Sequence, residues 1–424
     1  MKEQKDFIGL SRSPVVNQLH SIRESVTKKP PKYNMHGLVH QNVFQWLWKN
    51  LLHLGNTHYK YQTYQDLKRN NGLFKMDDTP GTETSVALLG DWASDTPESH
   101  NIAALCGERD YSIHLGDSYY VGNEKEIACN FNSSFNAPWP YGKRGSFALL
   151  GNHEMYSSGK AYFTQLLPYM TVSEAGEVKG QEASFFCLEN KYWRVIGLDT
   201  GYHSVKGFLG VGSNKKLKFH DMQVEWLRTV VQPEKDNRGL IFLSHHQPLS
   251  AFEDEYVNPA KQLAELVGFN RNVLWFWGHE HRMALYGENT LDNGLKIYGR
   301  CMGNGGMPVE IGKSPKANGG RNLVVYDDRE RKRIDGKYPV GYNGYAVLKF
   351  DGPRLAIEYY DDNENNDLKQ ERKVLEETWT VADGKLTGSD ITDFTTGWPK
   401  KLTRMQGGIE KAIVKEADAK PAVV

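Results

Sequence analysis

The sequence predicts an α/β layered domain, and three observations predict it. Six apolar runs recur through the middle of the chain: Ser85–Leu89, Tyr111–Leu115, Ser146–Leu150, Trp193–Leu198, Leu240–Leu243 and Val273–Trp277. Continuous runs of this length suit strands covered on both faces. Helical patterning separates some of them, as at Gln223–Val231 and Pro259–Val267. Finally, a short polar block follows five of the runs: Gly90-Asp91-Trp92, Gly116-Asp117-Ser118-Tyr119-Tyr120, Gly151-Asn152-His153-Glu154, His245-His246-Gln247-Pro248 and Gly278-His279-Glu280-His281. Ligands of open α/β sheets bind outside the carboxyl ends of strands, so these blocks are placed to converge on one edge.

Taken in order, residues 1 to about 30 read as a loose lead-in ending at Lys29-Pro30-Pro31. Residues 35–80 read as one or two helices, closed by the turn-rich Asp77-Asp78-Thr79-Pro80-Gly81. Within them Phe44, Leu47, Trp48, Leu51 and Leu52 recur at helical spacing, the pattern of a core-facing helix. After Gly305 the texture changes. Pro308–Arg321 reads as a loop, and Asn322–Tyr326, Gly344–Phe350 and Arg354–Tyr360 read as antiparallel strands completing a second sheet. The expected division is a basic, partly helical extension over 1–83, a catalytic domain over 84–381 and a C-terminal extension or tail over 382–424.

Bulk properties narrow the function classes. The 424 residues carry 52 Lys+Arg against 52 Asp+Glu, so the chain as a whole advertises no polyanion partner. The first 70 residues hold eleven basic against four acidic side chains, a solvated face that would at most serve as a docking arm for a protein partner. A nucleic-acid enzyme is disfavoured by the zero net charge and the lack of a basic stripe in the central span. Cys106, Cys129, Cys187 and Cys301 form no CxxC pair, which argues against a cysteine zinc site and for reduced thiols. No apolar signal region opens the sequence, and Val43–Leu54 carries Lys49 and is too short to span a bilayer. The expectation is a cytoplasmic protein without a transmembrane segment.

The blocks themselves carry the chemistry. Together they supply carboxylates, a phenol, a side-chain amide and imidazoles, a donor set for two adjacent hard-to-borderline metal ions. Two such ions need a bridging carboxylate, a natural task for Asp117, and separate terminal ligands. Neutral imidazoles and an amide limit the negative charge and leave the site attractive to phosphate. Each block alone has a plainer reading, since Gly-Asp is a common turn and His-His-Gln-Pro a structural one. The force lies in five blocks in order, each at a predicted strand end.

On these residues the chain resembles the calcineurin-like metallophosphoesterases, over roughly residues 84–305, and within them the purple acid phosphatases. Two details point to that branch: Ala93 stands where most relatives carry the histidine of a DxH block, and Tyr120 follows Asp117 by three residues. The resemblance implies a four-layer α/β/β/α sandwich of two mixed sheets, with the dinuclear metal site at the strand C-terminal ends. It implies one metal held by Asp91, Asp117, Tyr120 and His281, and a second sharing Asp117 and taking Asn152, His246 and His279. His246 fits the family's H-x-P spacing to Pro248, with His245 as its rival. His153 would orient the phosphate or protonate the leaving oxygen. Iron paired with zinc, manganese or a second iron is the implied cofactor set.

The expected function is hydrolysis of phosphomonoesters by a metal-bound hydroxide. A phosphodiesterase or nucleotide hydrolase is the alternative, because the same metal pair serves both. A silent, metal-stabilised binding or regulatory module is the alternative of another class. The acidic Glu253-Asp254-Glu255 after Pro248 stands where some purple acid phosphatases place histidines for substrate, which weighs against ordinary monoester specificity. Asp199 is a candidate second-layer acceptor for a ligand histidine. Arg282 reads as solvated, Gly303–Gly306 as a flexible loop, and Trp275 and Trp277 as core.

Overall fold

The computed structural model describes residues 58–64, 70–77, 79, 81–132, 138–205, 216–268, 271–291, 294–316, 321–332, 339–363, 371–405 and 414–416. Of the one or two helices expected over 35–80, the Val43–Leu54 part lies outside the described residues, as does most of the tail after 405, and Leu73–Lys75 is a strand instead, drawn into a sheet by pairing with Cys187–Glu189. No helix among the described residues is long and apolar enough to cross a membrane.

In chain order the first strands are β1 (Leu73–Lys75), β2 (Thr84–Leu89), β3 (Tyr111–His114), β4 (Gly145–Ala148), β5 (Thr171–Glu174), β6 (Glu177–Gly180), β7 (Phe186–Glu189), β8 (Trp193–Leu198), β9 (Gly239–Ser244), β10 (Asn272–Trp277), β11 (Met283–Thr290) and β12 (Lys296–Met302). There follow β13 (Leu323–Tyr326), β14 (Arg331–Lys332), β15 (Pro339–Val340), β16 (Gly344–Asp351), β17 (Arg354–Asp361), β18 (Arg372–Ala382), β19 (Lys385–Gly388), β20 (Ile391–Asp393), β21 (Thr403–Arg404) and β22 (Val414–Glu416). The α-helices among the described residues include α1 (Pro97–Cys106), α2 (Asn152–Met155), α3 (Asp221–Trp226) and α4 (Val257–Val267).

Two large mixed sheets result, and β14 and β15 pair apart from them as a two-stranded sheet. One runs β1-β7-β8-β9-β10-β12-β11-β13-β21, with β8, β9, β10 and β12 mutually parallel. The other runs β22-β20-β18-β17-β16-β2-β3-β4-β5-β6, with β19 added to β18 and with β2, β3 and β4 parallel. This is the α/β architecture that the apolar runs predicted. The fully buried patterns of β9 and of all but the first residue of β10 follow from their central places. Between the sheets, Phe147 of β4 stacks on Phe186 of β7 with centroids 4.1 Å apart. Buried Arg300 of β12 reaches Glu377 of β18 through Nε at 2.7 Å and Nη2 at 2.6 Å. Trp275 and Trp277 are core residues, as expected. None of the four cysteines is in a disulfide.

The domain boundaries expected at 84 and 381 do not coincide with an edge of the sheets. Before the first, β1 pairs with β7, and the Tyr64 hydroxyl donates to the Phe185 carbonyl at 2.7 Å. Beyond the second, β19 and β20 pair with β18, and β21 closes the first sheet against β13.

The fold delivers the site by a simple arrangement. The parallel strands β2, β3 and β4 of one sheet and β9 and β10 of the other all end on the same rim. α1 starts beside it with Thr96 and Ser99 in a reciprocal cap and Pro97 in the first turn, which fixes where the chain leaves the rim after β2.

Candidate metal centre

Three of the site residues sit in left-handed backbone: Asp91 (φ 56°), Asp117 (φ 72°) and His279 (φ 65°). Such conformations cost a non-glycine residue on the order of 1–3 kcal/mol and persist where the surroundings over-determine them. Here each follows a strand end and turns the side chain back over the rim. Gly151 shows how close the chains come: a Cβ there would lie 2.0 Å from Asp117 Oδ1.

The side chains meet in two overlapping groups. Asp91, Asp117 and His245 bring ligand atoms within 4.8 Å of one another, and so do His245, His246 and His279. His245 stands at their junction. Its Nδ1 lies 2.9 Å from the Leu115 carbonyl, which sets that nitrogen as a donor. Its Nε2 then faces Asn152 Oδ1 at 3.1 Å, His279 Nδ1 at 3.2 Å and Asp117 Oδ1 at 3.3 Å. One nitrogen carries at most one proton, yet three potential acceptors converge on it. That excess of lone pairs over protons is the signature of a cation site, and the mix of carboxylate, amide and imidazole fits zinc, iron or manganese.

Electrostatics agree. Burial would raise Asp117, but His245 and His153 outweigh it and hold the carboxyl well below its usual range. Burial would lower His245, and Asp117 reverses this, raising it to about 9. Burial, with the charge on His245, pushes His279 down to about 3. Burial likewise keeps His246 well below its ordinary value, aided by His279 and His245. His246 and His279 are therefore neutral imidazoles, the form that binds metal, while a metal would compete for the proton on Nε2 of His245.

On the other side, His281 Nε2 lies 3.5 Å from Asp91 Oδ1. The phenol in the cluster belongs to Tyr119: its hydroxyl donates to Asp91 Oδ1 at 2.7 Å and lies 3.0 Å from His281 Nε2 and 3.3 Å from Asp117 Oδ2. Tyr120 was the phenol expected here; the hydroxyl that meets Asp91, Asp117 and His281 is that of its neighbour Tyr119. Tyr120 meets the site through its backbone, its carbonyl 2.6 Å from His153 Nδ1. His153 is anchored at the start of α2, where its N–H donates to Asp117 Oδ1 at 2.9 Å, and its Nε2 lies 3.7 Å from Asp117 Oδ2. Both His245 and His246 are brought into the site.

Other expectations change. Asp199 does not hold a ligand histidine. It accepts from Ser184 Oγ at 2.5 Å and from the N–H groups of Gly201 and Tyr202. The neighbouring Thr200 meets a histidine of the cluster, its Oγ1 lying 3.0 Å from the His246 backbone N and 3.1 Å from His246 Nδ1. Arg282 is buried rather than solvated, stacking 4.2 Å over Phe252. Gly303–Gly306 is packed rather than loose: the Gly305 N–H donates to the Gly90 carbonyl at 2.8 Å, so the segment supports the turn that carries Asp91. Thr200 and Tyr119 were missed because nothing in their own spacing sets them apart from neighbours of the same polarity.

Beside the centre lies a cavity of about 320 Å³ onto which His279 and His281 face.

The calcineurin-like phosphoesterase family model matches residues 50–283 of the sequence. This chain belongs to that family. The match spans all the blocks from Asp91 to His281, and a calcineurin-like metallophosphoesterase domain accounts for a metal-binding cluster at this rim. No curated relative matches the sequence. Among solved structures, the chain is similar to PhoD (12% identity, 81% of this chain and 75% of that one, TM-score 0.42). It is also similar to GAP50, the anchor in the inner membrane complex of Plasmodium (13% identity, 71% and 89%, TM-score 0.41). A dimetal phosphatase from Danio rerio is a third (10% identity, 66% and 97%, TM-score 0.34).

Proposed function

We propose that this calcineurin-like phosphoesterase hydrolyses phosphomonoesters with a dinuclear metal centre, in the manner of purple acid phosphatases. The observation that carries the reading is the convergence of Asp117 Oδ1, Asn152 Oδ1 and His279 Nδ1 on His245 Nε2. Asp91, Asp117 and His281, with the Tyr119 phenol in place of Tyr120, would hold one ion; Asp117, Asn152, His279 and one or both of His245 and His246 would hold the other. Iron with zinc, manganese or iron suits this donor set. Bound cations would supply Lewis acidity to the phosphoryl oxygens and a nucleophile at neutral pH.

The remaining work falls to the protein. Asp117 would keep the two ions apart and charge-balanced. Thr200 fixes the ring of His246, and the Leu115 carbonyl fixes that of His245. His153 donates from Nδ1 to the Tyr120 carbonyl, which leaves Nε2 to meet a phosphoryl or leaving oxygen. Its partial exposure, 20% of the side chain, supports a role at the substrate rather than within the metal cluster.

Elemental analysis and a visible spectrum of the purified chain test the metals: fewer than two bound ions would sink the dinuclear reading. Aryl phosphate mono- and diesters assayed side by side test the substrate, and diester turnover with negligible monoester turnover would replace the first reading by a phosphodiesterase. A chain with two metals that hydrolyses neither would be a binding module.

A further inference from the structure

We propose that Tyr156 is a positioning residue of the metal centre, holding the Asn152 amide with its oxygen turned toward a cation. This rests on the dinuclear reading above and adds to it a side chain outside the five polar blocks. Tyr156 continues the right-handed backbone of α2 by one residue (φ −62°, ψ −29°). Residues three and four apart on a helix are neighbours, so position 156 lies over both 153 and 152. The contacts follow from that spacing. Asn152 Nδ2 donates to the Tyr156 hydroxyl at 3.4 Å, and the His153 and Tyr156 rings meet edge to face with centroids 5.2 Å apart. One half-buried phenol therefore touches both an amide of the cluster and the histidine assigned to the substrate.

An amide has two unlike ends. Its oxygen carries lone pairs for a cation, whereas its nitrogen presents two N–H groups. Asn152 Oδ1 faces His245 Nε2 inside the cluster at 3.1 Å, and Asn152 is only 9% exposed. Its Nδ2 needs an acceptor, and among the described residues the Tyr156 hydroxyl is the one within reach. Turning the amide over would set N–H groups against the cation. Accepting from Nδ2 also shifts electron density onto Oδ1, which makes it a better ligand. An aspartate at 152 would behave differently. Its two oxygens are alike, and the phenol would donate to it, drawing density away from the metal-binding oxygen. The phenol thus helps an asparagine at this position and does not help an aspartate.

The test is the Zn2+ affinity of the full chain, read by competition with a chromophoric chelator in the wild type, Tyr156→Phe, Asn152→Asp and the double variant. Tyr156→Phe should weaken one of the two ions about tenfold, the low end for a group that orients a ligand, because the hydrogen bond is long. The other ion, on the Asp91 side, should stay within about threefold. In the Asn152→Asp background, adding Tyr156→Phe should cost nothing further, an outcome that a merely structural phenol would not give. Neither ion weakened, both weakened together, or the same tenfold loss in the Asn152→Asp background would each overturn the proposal. The first two are read on Tyr156→Phe alone, so refutation does not depend on Asn152→Asp folding. A wild-type chain that takes up a single ion would refute the dinuclear reading instead. A tenfold loss of that ion in Tyr156→Phe would still support the role of the phenol, and an unmoved affinity, or no uptake at all, would overturn it as well.

Discussion

Replacing Tyr119 by phenylalanine removes one hydroxyl and three polar contacts, to Asp91 at 2.7 Å, His281 at 3.0 Å and Asp117 at 3.3 Å. The shortest is to a buried carboxylate, and a hydrogen bond to a charged group is worth about 1.5–3 kcal/mol. At about 1.4 kcal/mol per factor of ten, metal affinity at the Asp91 side should fall by roughly 12- to 140-fold. Tyr120→Phe is the matched control. It keeps the backbone carbonyl beside His153 Nδ1, and its effect should stay within the range of an ordinary substitution, less than about threefold. Competition against a chromophoric chelator measures both variants on the full chain. With ferric ion loaded, any tyrosinate charge-transfer band should vanish in Tyr119→Phe and persist in Tyr120→Phe. The opposite pattern, with Tyr120→Phe losing affinity and colour while Tyr119→Phe keeps both, would refute the geometric argument and restore the residue that the motif spacing pointed to.

Three further outcomes follow from the geometry. Thr200→Val keeps the shape of the side chain but frees the His246 ring; activity or metal affinity should drop about 10–100-fold with an unchanged circular dichroism spectrum. Gly151→Ala puts a methyl 2.0 Å from Asp117 Oδ1, so the carboxylate must move and the chelator titration should lose at least one metal; retention of both would contradict the close approach. Arg300→Met strands Glu377 in the core and should cost about 3–5 kcal/mol in urea unfolding, whereas Arg300→Met with Glu377→Met should recover most of the loss.

The strands that carry the site were legible because continuous apolar runs mean burial on both faces, and β2, β3, β8, β9 and β10 match their predicted runs within a residue or so. Strands such as β6, with its exposed Glu177 and Val178, or β12, with Arg300 in its middle, were not. Their polar residues are accommodated by an edge position or by a partner on the opposite sheet, and neither is local information.

By itself the sequence determined the chemistry available: which donors exist, their order, and that each follows a strand. Those are properties of composition and of hydrophobic periodicity. Only the tertiary structure decided which of two adjacent tyrosines enters the cluster, that Thr200 rather than Asp199 steadies a histidine, and that Gly303–Gly306 is packed beneath Asp91. Neighbouring residues of like polarity differ by the direction their side chains face. That direction is fixed by backbone turns, three of them left-handed, that hold only when both sheets close around the rim.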